Sequence, residues 1–140
     1  MKKIRLVHNA TATHVRLFNS PVSAGFPAPA DDEVTEAIDL NTYLIHNKPA
    51  TYLVRVEGTS LQGIGILSGD LLVVDASLPP GSGQIVVASV NGEFLVKRYV
   101  KEKGKAYLKA ENPAYPPLLV SDDMEGGIMG VVSGVVRKMP

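Results

Sequence analysis

The sequence contains no cysteine and only three histidines among its 140 residues. The missing cysteine excludes disulfides, thiolate metal sites and a cysteine nucleophile. His8, His14 and His46 do not have the spacing of a metal-binding motif such as HExxH, and no EF-hand loop occurs. The chain also lacks a GxGxxG fingerprint that opens a helix and a Walker lysine. The sequence therefore predicts neither a metal nor any other cofactor.

Long hydrophobic runs are also missing, since none approaches the ~18 residues that a membrane-spanning helix needs. The basic start "MKKIRLV" and the small residues at 22–25 resemble the two ends of a secretory signal. A signal would need ~7–15 unbroken apolar residues between them. That interval instead holds polar side chains: His8, Asn9, His14, Arg16 and Asn19. We therefore expect a cytoplasmic protein, which also fits the absence of cysteine.

Neither sign of charge is in excess, because fourteen basic and fourteen acidic residues cancel. This balance argues against a broad nucleic-acid-binding surface, which needs clustered positive charge. The charges are unevenly placed, however. Residues 1–30 contain no acid and include "SPVSAGFPAPA", whose three prolines favour extended, exposed chain. An exposed extended segment is what a protease can bind, although a terminus without any role has the same composition.

The length fits one domain, and 45% hydrophobic residues are enough for a core. We predict a flexible N-terminal arm at 1–30 and a β domain at 31–140. The segment 31–49 has apolar residues at helical spacing, which predicts one short helix at 41–46 with Asn41 as its N-cap and Pro49 as its stop. From residue 51 onward, short runs rich in valine, leucine, isoleucine and tyrosine predict six or seven strands. The predicted strands are "TYLVRVEG", "DLLVVD", "GQIVVASV", "EFLVKRYV", "AYLKAE" and "GIMGVVSGVVRKM".

These elements predict a mainly β fold, a compact twisted barrel or sandwich with one short helix and an extended N-terminal arm. The strongest local signal is Asn91-Gly92 between two of the strand runs. Both residue types accept positive φ, so this pair predicts a two-residue type I′ hairpin.

Ser60 follows an apolar strand and a glycine, and it is the candidate nucleophile in the chain. A Ser-His-Asp triad would have to use His46, which ends a polar segment typical of the surface. A Ser-Lys dyad would use Lys97, in the middle of "EFLVKRYV". A lysine with its ordinary pKa of about 10.4 is protonated, and apolar surroundings lower that pKa. Strand alternation gives Lys97 two apolar neighbours on its own face, although strand lysines are more often solvated.

The order of these segments resembles the LexA/UmuD family of self-cleaving peptidases, and its UmuD branch in particular. The similarity covers about residues 20–140 and includes no DNA-binding domain before the arm. "AGFPAPADDEV" is similar to the cleavage segment of the family, "VEGTSLQGIGILSGDLLVVD" to its serine motif and "GQIVVASVNGEFLVKRY" to its lysine motif. "IDLNTYLI", "ENPAYPPLLV" and "GVVSGVV" resemble further segments of the same family.

The resemblance implies a Ser-Lys dyad in which Ser60 is the nucleophile and Lys97 the general base. It implies that the backbone N–H groups of Thr59 and Ser60 form the oxyanion hole. The scissile bond would join Ala24 and Gly25. Thr59 and Leu61 depart from the residues that commonly flank the serine of this family, and backbone donors tolerate such a change.

The resemblance also implies a place in the SOS response to DNA damage. A RecA–single-stranded DNA filament would stimulate the cut, and residues 25–140 would join a Y-family translesion polymerase of the UmuC type as a homodimeric accessory subunit. Direct sequence-specific DNA binding and membrane contact are not expected. A non-catalytic interaction subunit of a polymerase is the alternative. A signal peptidase shares the Ser-Lys chemistry but would need a membrane anchor, which the sequence does not contain.

Overall fold

The computed structural model describes residues 3–5, 13–18, 34–111, 113–121 and 127–140. Within these residues the chain forms ten strands, one short α-helix and two 3₁₀ turns. The predicted mainly β fold with one short helix is therefore confirmed. The predicted cleavage site, Ala24-Gly25, lies outside the described residues.

Element bounds follow the chain in this order: β1 Lys3–Arg5, β2 His14–Phe18, β3 Val34–Asp39, α1 Leu40–Leu44, β4 Thr51–Arg55, β5 Leu71–Asp75, β6 Ile85–Val90, β7 Glu93–Glu102, β8 Lys105–Lys109, β9 Leu118–Leu119 and β10 Gly127–Val136. The 3₁₀ turns are Lys48–Ala50 and Gln62–Ile64. The six predicted strands correspond to β4 through β8 and β10. No helix in the described part of the chain is long and apolar enough to cross a bilayer.

Eight of the strands form one antiparallel sheet in the order β1-β4-β5-β10-β6-β7-β8-β9. Because β1 and β9 are its two ends, this sheet is open rather than closed into a barrel. β2 and β3 form a separate antiparallel pair. β1 and β2 both fall within residues 1–30, the predicted arm, whose boundary stays a prediction. The C-terminal strand β10 lies near the middle of the sheet, between β5 and β6.

Two hydrophobic clusters form the core. The first contains these buried residues: Tyr52, Val54, Val56, Leu61, Ile66, Leu72, Val74 and Val87. The second contains Val86, Ala88, Leu108 and Val131. Val86 and Val87 are consecutive in β6, and consecutive strand residues point to opposite faces. The two clusters therefore cover opposite faces of the sheet at β6.

Glycines allow close packing around β10. A Cβ added at Gly130 would lie 2.6 Å from Val74 Cγ1 and 3.0 Å from the carbonyl oxygen of Asp75. At Gly134 an added Cβ would lie 2.9 Å from Leu44 Cδ2, the last residue of α1. At Gly130 only a residue without a side chain fits, because the Asp75 backbone cannot move aside, whereas at Gly134 the Leu44 side chain would have to shift. These contacts bring β5 and α1 against the central strand.

The helix begins one residue earlier than the sequence predicted, and its N-cap lies two residues earlier. Asp39 is its N-cap, because the Asp39 carboxylate accepts hydrogen bonds from the Thr42 hydroxyl at 2.8 Å and from the Asn41 N–H at 3.2 Å. The bond from Thr42 is the main reason that the pKa of Asp39 lies below its ordinary value. Asn41 is thus a helical residue, and Pro49 lies inside a 3₁₀ turn instead of ending the helix.

The predicted hairpin at Asn91-Gly92 is confirmed. Asn91 has φ of 50° and Gly92 has φ of 81°, as a type I′ turn requires at both central residues. Val90 and Glu93 are directly paired across the turn. This register fixes the pairing of β6 with β7, the strand that contains Lys97.

Candidate functional site

Ser60 lies in a loop that joins β4 to β5 and is closed at its neck. The Val56 N–H donates to the Asp70 carbonyl at 2.9 Å, and the Gly69 N–H donates to the Val56 carbonyl at 2.8 Å. Above this neck, the Gly58 N–H donates to the Ser68 hydroxyl at 3.3 Å. Gly58 has φ of +95°, a conformation that residues with side chains rarely adopt. The backbone of this turn therefore requires a glycine at position 58, two residues before Ser60.

Two buried side chains, at positions 61 and 66, anchor the part of the loop that follows Ser60. Leu61 and Ile66 are each only 5% exposed and belong to the first hydrophobic cluster. The Leu61 carbonyl accepts hydrogen bonds from the N–H groups of Ile64, at 3.1 Å, and Ile66, at 3.2 Å. Ser60 itself is exposed. It is held between a hydrogen-bonded glycine two residues before it and a buried leucine directly after it.

The backbone next to Ser60 offers free hydrogen-bond donors. Within residues 34–111, the N–H groups of Thr59 and Ser60 donate to no protein acceptor, whereas the Thr59 carbonyl accepts from the Gln62 N–H at 3.2 Å. Free N–H groups on an exposed turn can bind a developing negative charge on a substrate oxygen. Thr59 and Ser60 are the residues named for the predicted oxyanion hole, and this role stays a prediction.

Lys97 occupies the middle of β7 and is half-buried. It pairs directly with Val86 of β6, so its side chain lies on the face of the second cluster, as does that of Tyr99. The preceding residue, Val96, packs instead against the first cluster, which also contains Leu61. Val96 therefore shares the core cluster of Leu61, whereas the Lys97 side chain lies on the opposite face of the sheet.

In the described part of the chain, no hydrogen bond joins the Ser60 hydroxyl to the Lys97 amine or to His46. Hydrogen bonds between catalytic groups are often long before substrate binds, so a Ser-Lys pair does not require this bond in the unbound protein. His46 is exposed and follows α1, as expected for a surface histidine. Among the residues that the structure describes, no three histidine or acidic side chains are close enough together to bind a metal ion.

An ion pair that the sequence reading missed lies beside the Ser60 loop. Arg137 Nε is 2.7 Å from Asp70 Oδ1, and Arg137 Nη2 is 2.6 Å from Asp70 Oδ2. The same Nη2 donates to the Gly65 carbonyl at 2.8 Å, and Asp70 Oδ2 also accepts from the Leu67 N–H at 2.8 Å. Asp70 precedes β5 and Arg137 follows β10, so the antiparallel register of these strands could have revealed the pair.

This network lowers the pKa of Asp70 from its ordinary 3.8 to about 2, mainly through the hydrogen bond from Arg137 and then through that from Leu67. A depressed carboxyl pKa stabilises the fold above the pKa of the unfolded chain, and the stabilisation is lost as the pH falls toward 2.

We therefore expect Asp70→Asn to have a lower Tm than the wild type at pH 6, and the difference in Tm to shrink steadily between pH 4 and pH 2. Thermal unfolding followed by circular dichroism across this range measures it, and the difference between the two proteins isolates Asp70 from the other carboxyls. A constant difference down to pH 2 would contradict the assignment.

Comparison with known proteins gives the family. The Peptidase S24-like family model matches residues 16–133. The chain belongs to this family. It is 44% identical to Protein SamA of Salmonella typhimurium over 122 residues, which is 87% of this chain and 84% of SamA. It is also 42% identical to LexA repressor 1 of Pseudomonas syringae pv. tomato and 41% identical to the LexA repressor of Pseudomonas aeruginosa, each over 118 residues.

The matched region covers 84% of this chain but only 58% and 57% of those two repressors. The chain thus spans a little over half of their length. Membership of the Peptidase S24-like family confirms the predicted resemblance to the LexA/UmuD self-cleaving serine peptidases. The matched region includes both Ser60 and Lys97, and their roles stay predictions.

Proposed function

We propose that this chain is a self-cleaving serine peptidase that cuts its own Ala24-Gly25 bond with Ser60 as nucleophile and Lys97 as general base. Family membership supports the reaction class. The observation that carries the assignment to Ser60 is its turn, which is exposed, shaped by a positive-φ glycine and provided with two N–H groups that donate to no acceptor among the described residues. Lys97 is half-buried in the middle of β7, opposite Val86 of the second cluster, and lies within the region that the family model matches, which supports its assignment as the base.

The proposed reaction has two steps. The Lys97 amine takes the proton of the Ser60 hydroxyl, and the oxygen attacks the carbonyl carbon of Ala24. The Thr59 and Ser60 N–H groups bind the oxyanion, and Lys97 returns the proton to the amine of Gly25 as the peptide bond breaks. Water then hydrolyses the ester on Ser60. The products are residues 1–24 and residues 25–140.

The biological setting that we propose is the SOS response. A RecA–single-stranded DNA filament stimulates the cut, and the 25–140 product acts as a homodimeric accessory subunit of a Y-family translesion polymerase of the UmuC type. The similarity to SamA and to LexA repressors supports a regulatory cut. The balanced charge of the chain suits a protein that acts through protein contacts more than through DNA.

Mass spectrometry of the purified protein tests the reaction. On incubation at about pH 10, where lysine amines are more often neutral, we expect slow formation of fragments 1–24 and 25–140. At neutral pH the same fragments are expected only after addition of RecA, single-stranded DNA and a nucleoside triphosphate. Fragments with other boundaries, or an intact chain under both conditions, would count against the proposal.

The polymerase role is tested separately. Recombinant 25–140 should bind a Y-family catalytic subunit and have the molar mass of a dimer in light scattering. A processed chain that stays monomeric and leaves that subunit unbound would remove this part of the proposal without touching the peptidase part.

A further inference from the structure

We propose that Arg137 and Asp70 form a clamp that positions the Ser60 loop for self-cleavage. The proposal deepens the peptidase function and rests on it. Among the described residues, neither side chain is hydrogen-bonded to Ser60 or Lys97, so both are positioning residues. The clamp consists of four hydrogen bonds, three from the Arg137 guanidinium to Asp70 and Gly65 and one from the Leu67 N–H to Asp70.

The clamp holds the loop at two separated points. Asp70 lies at the neck, where its carbonyl pairs with the Val56 N–H, and Gly65 lies beyond the buried Leu61. One guanidinium therefore fixes the spacing between the neck and the far side of the loop. Ser60 is in the segment enclosed by these contacts. A bidentate guanidinium–carboxylate pair constrains both distance and orientation, which a single hydrogen bond does not.

The clamp also connects the loop to the strand that lies between the two proposed catalytic residues. Arg137 directly follows β10, which is hydrogen-bonded to β5 on one side and to β6 on the other. β6 in turn pairs with β7, where Val86 is opposite Lys97. Tying the loop to the end of β10 therefore sets its position relative to the part of the sheet that carries Lys97.

The outer side of the loop, residues 67–70, borders open space. An open cavity of about 530 Å³ borders it, lined by Arg55, Leu71, Val136, Lys138 and the clamp residues among others. Apart from the clamp, Arg55 provides one hydrogen bond there, from Nη1 to the Gly69 carbonyl at 3.0 Å. Asp70 is 2% exposed, so without Arg137 its carboxylate would be left buried without its cationic partner. Loss of the arginine should therefore let the loop shift.

Because misplacement of a nucleophile by about 1 Å can cost on the order of 10²-fold in rate, a shifted loop should slow cleavage strongly. We expect Arg137→Gln and Asp70→Asn each to cleave about 10- to 100-fold more slowly than wild type at pH 10. The double variant should be no slower than the slower single one, since either change breaks the same clamp. Arg137→Lys, which keeps one charged donor, should recover part of the rate.

The experiment measures the single-turnover rate of self-cleavage and the rate at which a fluorophosphonate probe labels Ser60. Labelling does not require the cleavage segment, so it reports the nucleophile alone. Lys109→Gln is the charge-matched control, because it breaks the Lys109–Glu102 pair, which is 2.9 Å long and away from the loop. Leu108→Val, in the second cluster, is the control for lost stability, with rates compared at temperatures of equal fraction folded.

The inference holds if the clamp variants lose both cleavage and labelling while the two controls stay within about two-fold of wild type. It is overturned if Arg137→Gln, when folded, cleaves and labels as fast as the wild type. It is also overturned if the rate follows Tm equally in the clamp variants and in Leu108→Val. Failure of the proposed function gives a different result, namely a wild-type protein that does not cleave itself at all.

Discussion

Replacing Ser60 with alanine is expected to reduce self-cleavage of the intact chain by more than ~10³-fold, at pH 10 and in the presence of RecA filaments alike. The substitution removes one oxygen atom from an exposed side chain, so the fold and its Tm should stay unchanged. Without the hydroxyl no ester can form, and the N–H groups of the turn have no tetrahedral intermediate to stabilise. The yield of the 25–140 fragment over time gives the rate. Ser121→Ala, at another exposed serine, is the matched control and should cleave normally.

Lys97 is tested by two substitutions in the same assay. Lys97→Ala removes the proposed base, and Lys97→Arg keeps the positive charge but cannot lose its proton in the accessible pH range. If the amine acts as a base, both variants should be inactive. If it acts only as a charge, the arginine should retain activity. Lys101→Ala, four residues further along β7 and on the same face by strand alternation, should cleave as the wild type does.

Two results would redirect the interpretation. Undiminished cleavage of Ser60→Ala would exclude the serine as the nucleophile. A full-length Lys97→Ala protein that supports lesion bypass as well as the wild type would favour the alternative function, a non-catalytic interaction subunit that does not need processing.

Leu72→Ala should lower the free energy of unfolding by ~2–5 kcal/mol, the usual cost of the cavity created when a fully buried leucine is truncated to alanine. Leu72 has 0% exposure and lies in the first cluster with Leu61 and Ile66. In a domain of this size the change corresponds to a Tm shift on the order of 10 °C. Urea unfolding gives the free energy. Both the Leu72 and the Leu72→Ala proteins carry Ser60→Ala in this measurement, so that neither cleaves itself.

Leu78→Ala is the matched control because the same atoms are removed from a side chain that is 38% exposed in the loop after β5. It should change the stability by less than ~0.5 kcal/mol. Equal losses at Leu72 and Leu78 would mean that the first cluster is not the stabilising core described above.

The sequence was sufficient to predict the strands and turns whose conformation is decided by neighbouring residues. Strands β4 through β8 and β10 follow from short β-branched runs, and the Asn91-Gly92 turn follows from the φ preference of two residues. β3 was missed because residues 34–39 place apolar side chains at a spacing compatible with a helix. Residues 34–39 form a strand because they pair with β2, which lies about twenty residues earlier in the chain. The N-cap of α1 is Asp39, the last residue of β3, and not the predicted Asn41.

The site was less predictable than the fold because its parts are far apart in the chain. Thr59 and Ser60 could be named from one motif, but the Arg137–Asp70 pair joins residues 67 positions apart and depends on the register of β5 with β10. Neither residue forms a motif with its sequence neighbours. The roles of Ser60 and Lys97 came from the order of several family segments, since strand alternation alone does not distinguish a buried base from a solvated lysine.

The three-residue strand β1 gives the proposed cut a thermodynamic consequence. Lys3, Ile4 and Arg5 pair with Val54, Leu53 and Tyr52 at one end of the sheet, and the hydrogen bonds of so short a strand contribute only about 0.5–1.5 kcal/mol each. While the arm is covalently attached, the tether holds β1 near β4 at a roughly millimolar effective concentration. Residues 1–24 also contain β2, which pairs with β3, so cutting after Ala24 would make both pairings bimolecular. Dilution would then favour dissociation of the released peptide, which would leave β4 as an unpaired edge.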